Sequence, residues 1–148
     1  MLSNVFTVIY VENLQKVVKE VKAYKTDEDL WVVTDSIPNS GGNLALHLAG
    51  NIKHFFGAVL GRNGYIRERE LEFSEKDLSR DDVALKVEEA ATVLKETLSQ
   101  MSDEDFAGDY PEEIFGETQK TITIVAYMLS HLNYHLGQMN YHRRLLSK

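Results

Sequence analysis

Apolar residues recur along this chain at spacings of three and four, in four separate stretches, and that period is the signature of helices with one buried face. The first stretch covers about residues 3–24, with Leu14, Val17, Val18 and Val21 on one side. The run Ile37-Pro38-Asn39-Ser40-Gly41-Gly42 then breaks the chain, and Asn39 or Ser40 can cap the next helix. This second helix is predicted over about residues 42–60, burying Leu44, Leu48, Phe55 and Val59 and ending at Gly61. Ser79 or Asp81 opens a third, reaching about Met101, with Val83, Val87, Ala90, Leu94 and Leu98 in line. The fourth spans about residues 117–146, with Ile122, Val125, Leu129, Leu132, Leu136 and Met139 as its seam. Its β-branched start, Ile122-Thr123-Ile124-Val125, would suit a strand but runs without a break into the helical period.

Four amphipathic helices without strand alternation predict an all-α, four-helix bundle. The connection 61–78 is long enough to cross the bundle, so a simple up-down-up-down order is not required. With 148 residues and no low-complexity tract, one domain spanning 1–148 is expected.

Beside the apolar seams lie two polar ones. His47, Asn51 and His54 share a face of the second helix; His131, His135, Gln138 and His142 share a face of the fourth. All five histidines of the chain fall on these stripes, and neither stripe contains a Lys, Arg, Asp or Glu. A solvated helix face is usually charged, so uncharged imidazoles and amides point to partly buried positions. Two imidazoles four residues apart, such as His131 and His135, can converge on one ion and take a third ligand from a facing helix. The spacing alone is equally compatible with buried histidines bonded to backbone groups. His131-Leu132-Asn133-Tyr134-His135 is not the metalloprotease helix motif, because Leu132 stands where that motif carries its glutamate base.

Composition narrows the setting. The net charge is −7, and the basic residues cluster only modestly, at Arg62, Arg67 and Arg69 and at Arg143, Arg144 and Lys148, which disfavours nucleic-acid binding. The longest uncharged segment, 121–142, holds three histidines, two asparagines and a glutamine, too polar for a membrane span. Cysteine is absent, so neither a disulfide, a thiolate ligand nor a cysteine nucleophile is available. With no secretory leader pattern, a cytoplasmic location is expected.

The segment Asn39-Ser-Gly-Gly-Asn-Leu-Ala-Leu-His47-Leu-Ala-Gly-Asn51 resembles the second-helix motif of DinB-like proteins, and His131-Leu-Asn-Tyr-His135-Leu-Gly-Gln138 resembles their fourth-helix motif. The stretch Arg67-Glu-Arg69-Glu-Leu-Glu-Phe73 is similar to one subgroup of small members. The resemblance covers nearly the whole chain and implies an up-down-down-up bundle. It further implies a triad of His47, His131 and His135 around a divalent metal, nickel or zinc foremost, with iron, manganese or cobalt as alternatives. Some relatives transfer low-molecular-weight thiols, which makes a metal-dependent transferase acting with a small thiol one reading. A metal-dependent hydrolase of a small substrate and a non-enzymatic metal-binding or interaction protein stay open beside it. In the transferase reading Asn51, Gln138 or Tyr134 orients ligand or substrate, and Arg67 holds an anionic group. Seven residues from the triad in opposite directions on antiparallel helices, His54 and His142 are expected as seam or surface residues outside it.

Between Thr121 and His142 the fourth helix carries no charged side chain, leaving Tyr127, Tyr134 and Tyr141 as a third stripe. Such a helix is expected to be covered on nearly all sides, by a second subunit or by long loops such as 25–39 of the same chain.

Overall fold

A computed structural model describes residues 1–147. The backbone forms α1 (Leu2–Ala23), a 3-10 turn (Asp29–Trp31), α2 (Gly41–Ile52) continuing as a wider π-helical segment (Lys53–Leu60), α3 (Arg69–Ser74), α4 (Arg80–Ser99), α5 (Asp103–Ala107) and α6 (Thr121–Leu146). No strand occurs among the described residues, and the all-α architecture is the expected one. No helix among them is long and apolar enough to cross a membrane.

Local chemistry explains the helix starts. Ser40 accepts a hydrogen bond from the Asn43 backbone N–H, and Ser79 does the same for Asp82, each satisfying a donor that the first helical turn leaves free. Ser102 and Asp105 form a reciprocal capping box that opens α5. The two long connections therefore are not featureless. Each contains a short helix, and α3 packs against α2.

The seam expected on α4 is wholly buried. Two other seams differ from expectation. On α2 the core residue is Phe56, 1% exposed, whereas Phe55 is only partly covered. The π-helical turns after Ile52 take more than four residues each, so the inward position arrives one residue later than an α-helix predicts. On α6 the buried apolar residues are Ile124, Val125, Met128, Leu132 and Met139, with Ile122, Leu129 and Leu136 partly covered. That helix lies against both α1 and α2, so its buried arc is wider than one seam and turned toward the corner between them.

Side-chain contacts fix the sense of each pair. Tyr10 on α1 donates to the Val125 carbonyl at 2.6 Å, and Glu20 meets Asn140 and Arg143, so α1 and α6 run parallel. Ser3 reaches the Leu98 carbonyl while Arg80 binds Asp27 just beyond the end of α1, making α1 and α4 antiparallel. Tyr110, shortly before α6, donates to the Phe55 carbonyl, which puts the start of α6 beside the end of the second helix. The segment 25–39 lies over the start of α2, where the Trp31 ring stands against Gly42, and reaches the end of α6, where the Val32 carbonyl bonds His142; of the tyrosines on α6 it nears Tyr141, across a small cavity.

The clasp between α1 and α6 generates a pH dependence. Burial would raise the Glu20 pKa, but hydrogen bonds from Arg143 at 2.6 Å and Asn140 at 2.7 Å outweigh it, and the net pKa lies below the usual 4.5. A carboxylate depressed on folding contributes stability that is present above its unfolded pKa and lost as pH falls through the folded one. Glu20→Gln is expected to cost about 1 kcal/mol at pH 7 and to flatten the decline in stability below pH 4.5. Urea denaturation across pH 3–7 checks this, and an unchanged slope would show that the clasp contributes nothing.

Candidate metal centre

His47 enters from the middle of α2 and His131 and His135 from successive turns of α6, and one ligand nitrogen from each lies within 4.8 Å of the others. Their Nε2 atoms converge: His131 Nε2 is 3.2 Å from that of His47 and 3.0 Å from that of His135. Nitrogens about 2.0–2.1 Å from a common ion, at angles of about 100–110°, stand roughly 3.1–3.4 Å apart, so the spacing fits a divalent metal.

Proton positions sharpen that fit. His47 Nδ1 lies 3.1 Å from Glu72 Oε1, buried on both sides. Burial would raise the Glu72 pKa, yet the hydrogen bonds from His47 and Arg67 and the guanidinium charge outweigh it and hold the carboxyl below its usual range. An ionised carboxylate only accepts, so His47 Nδ1 carries a proton, and in the neutral ring the lone pair is on Nε2. His135 Nδ1 likewise faces Gln138 Oε1 at 2.7 Å, leaving a lone pair on its Nε2. Burial, followed by the neighbouring His135 and His47 imidazoles, lowers the His131 pKa to about 4. His135 is also lowered, burial outweighing the opposing bond from Gln138. With the rings neutral, the three Nε2 atoms present a set of lone pairs with at most one proton to share, which is the electronic arrangement a cation resolves. His131 Nδ1 is buried without a hydrogen-bond partner, so His131 is the member of the triad whose orientation is least fixed.

Glu72 is the residue that reading the sequence missed. It sits on α3, 25 positions from His47, and its only signal was membership of the Arg67–Phe73 stretch. Arg67 grips both its oxygens, Nε to Oε2 at 2.9 Å and Nη2 to Oε1 at 2.8 Å. Arg67 therefore holds a carboxylate of its own chain, and the expected role of binding an anionic ligand is corrected. Its Nη2 also lies 3.3 Å from His47 Nδ1; both are donors, so the approach results from their shared grip on Oε1. A Cβ at Gly50 would stand 2.6 Å from the Glu72 Cδ, so only glycine lets this carboxylate lie against α2. Phe73 covers the His47 ring, centroids 5.0 Å apart.

The remaining seam residues separate. Asn51 is buried one turn beyond His47. Tyr134 is exposed, with its ring centroid 5.4 Å from that of His135. His54 stands outside the triad, 3.7 Å from Glu112. His142 is no surface residue. It is 5% exposed, with Nδ1 2.7 Å from the Tyr24 hydroxyl and Nε2 2.9 Å from the Val32 carbonyl, and its role is structural. It stands eleven residues beyond His131 on α6, so the same helical stripe ends in two different environments.

Comparison with known proteins bears on this geometry. The structure is similar to the crystal structure of a DinB-like protein from Bacillus cereus, with a TM-score of 0.75 and 20% sequence identity over 95% of this chain and 90% of that one. The fold is DinB-like. No curated protein matches the sequence. Over residues 5–148 the chain matches, and belongs to, the family described as "Protein of unknown function (DUF1572)".

Removing the carboxylate tests the clamp. Glu72→Ala is expected to weaken zinc affinity about 10–100-fold, since the partner that fixes the His47 tautomer is lost. Gly50→Ala should weaken it in the same direction although alanine is the better helix former by about 1 kcal/mol, because Glu72 cannot withdraw without releasing His47 or Arg67. Competition titration with a chromophoric chelator measures both; parental affinity in both variants would remove Glu72 from the site.

Proposed function

We propose that this protein is a divalent-metal-dependent enzyme whose ligands are His47, His131 and His135, and that it transfers a low-molecular-weight thiol to a small electrophilic substrate. The observation that carries the reading is the convergence of three Nε2 atoms with the far nitrogens of His47 and His135 already committed to acceptors. A divalent ion held there, with a coordination position left to a small molecule, would lower the pKa of a thiol or water and supply the nucleophile that a cysteine-free chain lacks. Burial foremost lowers the pKa of both His131, to about 4, and His135, which favours the neutral rings whose lone pairs a metal needs. Glu72 fixes His47, and Gln138 fixes His135.

The same geometry weighs against hydrolysis. A hydrolase wants a carboxylate free to take a proton from water, whereas both Glu72 oxygens are engaged by Arg67 and one by His47 as well. The pairwise helix senses support an up-down-down-up order and one domain across the chain.

The purified protein is expected to hold about one zinc or nickel ion per chain, lost in His47→Ala and His135→Ala and retained in His54→Ala, as elemental analysis will show. Chelation should abolish thiol-dependent turnover and leave the helical circular dichroism intact, because the apolar core is independent of the site. Hydrolysis without added thiol would favour the hydrolase, and loss of helicity on chelation a structural metal.

We further propose that two copies associate through α6. Tyr127, Tyr134 and Tyr141 are 53%, 65% and 67% exposed, so the loops among the described residues leave the greater part of each uncovered. Phe115, held in a left-handed backbone conformation at φ 56°, extends the stripe by packing on Tyr127 with centroids 5.3 Å apart. The three tyrosines span about 21 Å of helix without a charge between them, a surface suited to an equivalent surface. Light scattering at micromolar concentration should give a dimer that Tyr134→Glu dissociates; a monomeric parent would end the proposal.

A further inference from the structure

One turn from the triad lies a cavity of about 240 Å³ whose wall holds no Lys, Arg, Asp or Glu; Ile37, Pro38, Leu44, Gln138, Tyr141 and Leu145 form most of it, beside His142, whose two ring nitrogens are taken by Tyr24 and the Val32 carbonyl. Its position is set by helix geometry. Leu44 precedes His47 by three residues on α2, and Gln138 comes three after His135 on α6, so both lie one turn along the faces that carry the ligands. Gln138 belongs to both places: its Oε1 faces His135 Nδ1 at 2.7 Å, and its side chain forms part of the cavity wall. The segment 36–39 closes the far side and is held by the paired backbone hydrogen bonds of Thr34 and Ile37, each 3.1 Å.

A larger cavity of about 440 Å³ lies at the other end of the second helix, around Gly61, and its wall carries Arg62, Glu96, Asp105 and Asp109. No residue of its wall bonds a member of the triad, whereas Gln138 in the wall of the smaller cavity bonds His135. A third, of about 180 Å³, lies behind Glu72, with Lys53 and Lys86 in its wall, on the side of α2 turned away from the imidazoles.

We infer that the 240 Å³ cavity is the specificity pocket of the metal centre, taking an uncharged, largely apolar substituent of the small molecule whose reacting group sits at the triad. The inference rests on the metal-centre reading. About eight water volumes at about 30 Å³ each fill the space, which suits a short alkyl chain or a single ring. A charged substituent would find no counter-charge in the wall and would lose hydration on entry. The Gln138 carbonyl is occupied by His135, so its NH₂ is the group left to donate where the pocket meets the site.

A series of straight-chain hydroxamic acids from two to eight carbons, each with the same metal-binding head, separates head from tail. Binding to the zinc-loaded protein is measured by calorimetry, and affinity is expected to rise up to about fourfold per buried methylene and then level off once the cavity is full. Ile37→Glu and Leu145→Glu alter wall residues outside the ligand set. Both should flatten this rise while acetohydroxamic acid affinity and zinc content stay at parental values. A parent with no chain-length dependence, or variants that retain the parental rise, would overturn the pocket. Failure of the parent to take up zinc or bind acetohydroxamic acid would overturn the metal centre itself, and the pocket with it.

Discussion

The contact on which the site depends is the buried hydrogen bond from His47 Nδ1 to Glu72. An imidazole offers a lone pair from only one of its two nitrogens, and which one is decided by the partner of the other. By accepting the Nδ1–H hydrogen bond on the far side, Glu72 leaves Nε2 of His47 aimed at α6. An ionised carboxylate in a helical interior is costly unless its oxygens are satisfied. Arg67 satisfies them and is itself held by the same pair. The clamp thus couples α3 to α2 and makes the loop 61–78 part of the site instead of a spacer.

A consequence is the close approach at Gly50. A carboxylate lying on the side of a helix needs a position without a side chain, and a glycine inside a helix has a conformational cost that only such packing justifies. The apolar core bears that cost. The buried faces of α1, α4 and α6 enclose the bundle independently of the polar groups, so the histidine layer can be arranged for binding without also holding the helices together. His142 marks the boundary: one turn beyond Gln138 the same stripe of α6 is consumed by Tyr24 and a backbone carbonyl and becomes structure.

Around the triad, α6 presents three surfaces at once. Its apolar arc enters the corner between α1 and α2, its imidazoles face α2, and its tyrosines face outward beside His135. The absence of charge from Thr121 to His142 accords with this geometry, because a charged side chain on the inner two faces would be stripped of water without a partner.

The four main helices, the N-caps of α2 and α4 and many buried positions were legible in the sequence because helical periodicity and N-capping are local: Ser40, Ser79 and the Val83–Leu98 seam behave as their spacing predicts, while α6 begins at Thr121, four residues later than expected. The uncharged histidine stripes were legible for the same reason. What the sequence could not decide was long-range. Nothing in the order of residues says that Glu72 would meet His47 or that Arg67 would turn inward to a carboxylate. The π-helical turns that bury Phe56 in place of Phe55 were hidden as well, since the local pattern fits either register. Likewise His142 shares a face with His135, and its expected place outside the triad, in the polar seam or at the surface, did not say what it would bond. Only the packing of residues near α1 against the end of α6 made His142 a structural bond and left His135 facing His47, with Gln138 standing between it and the small cavity.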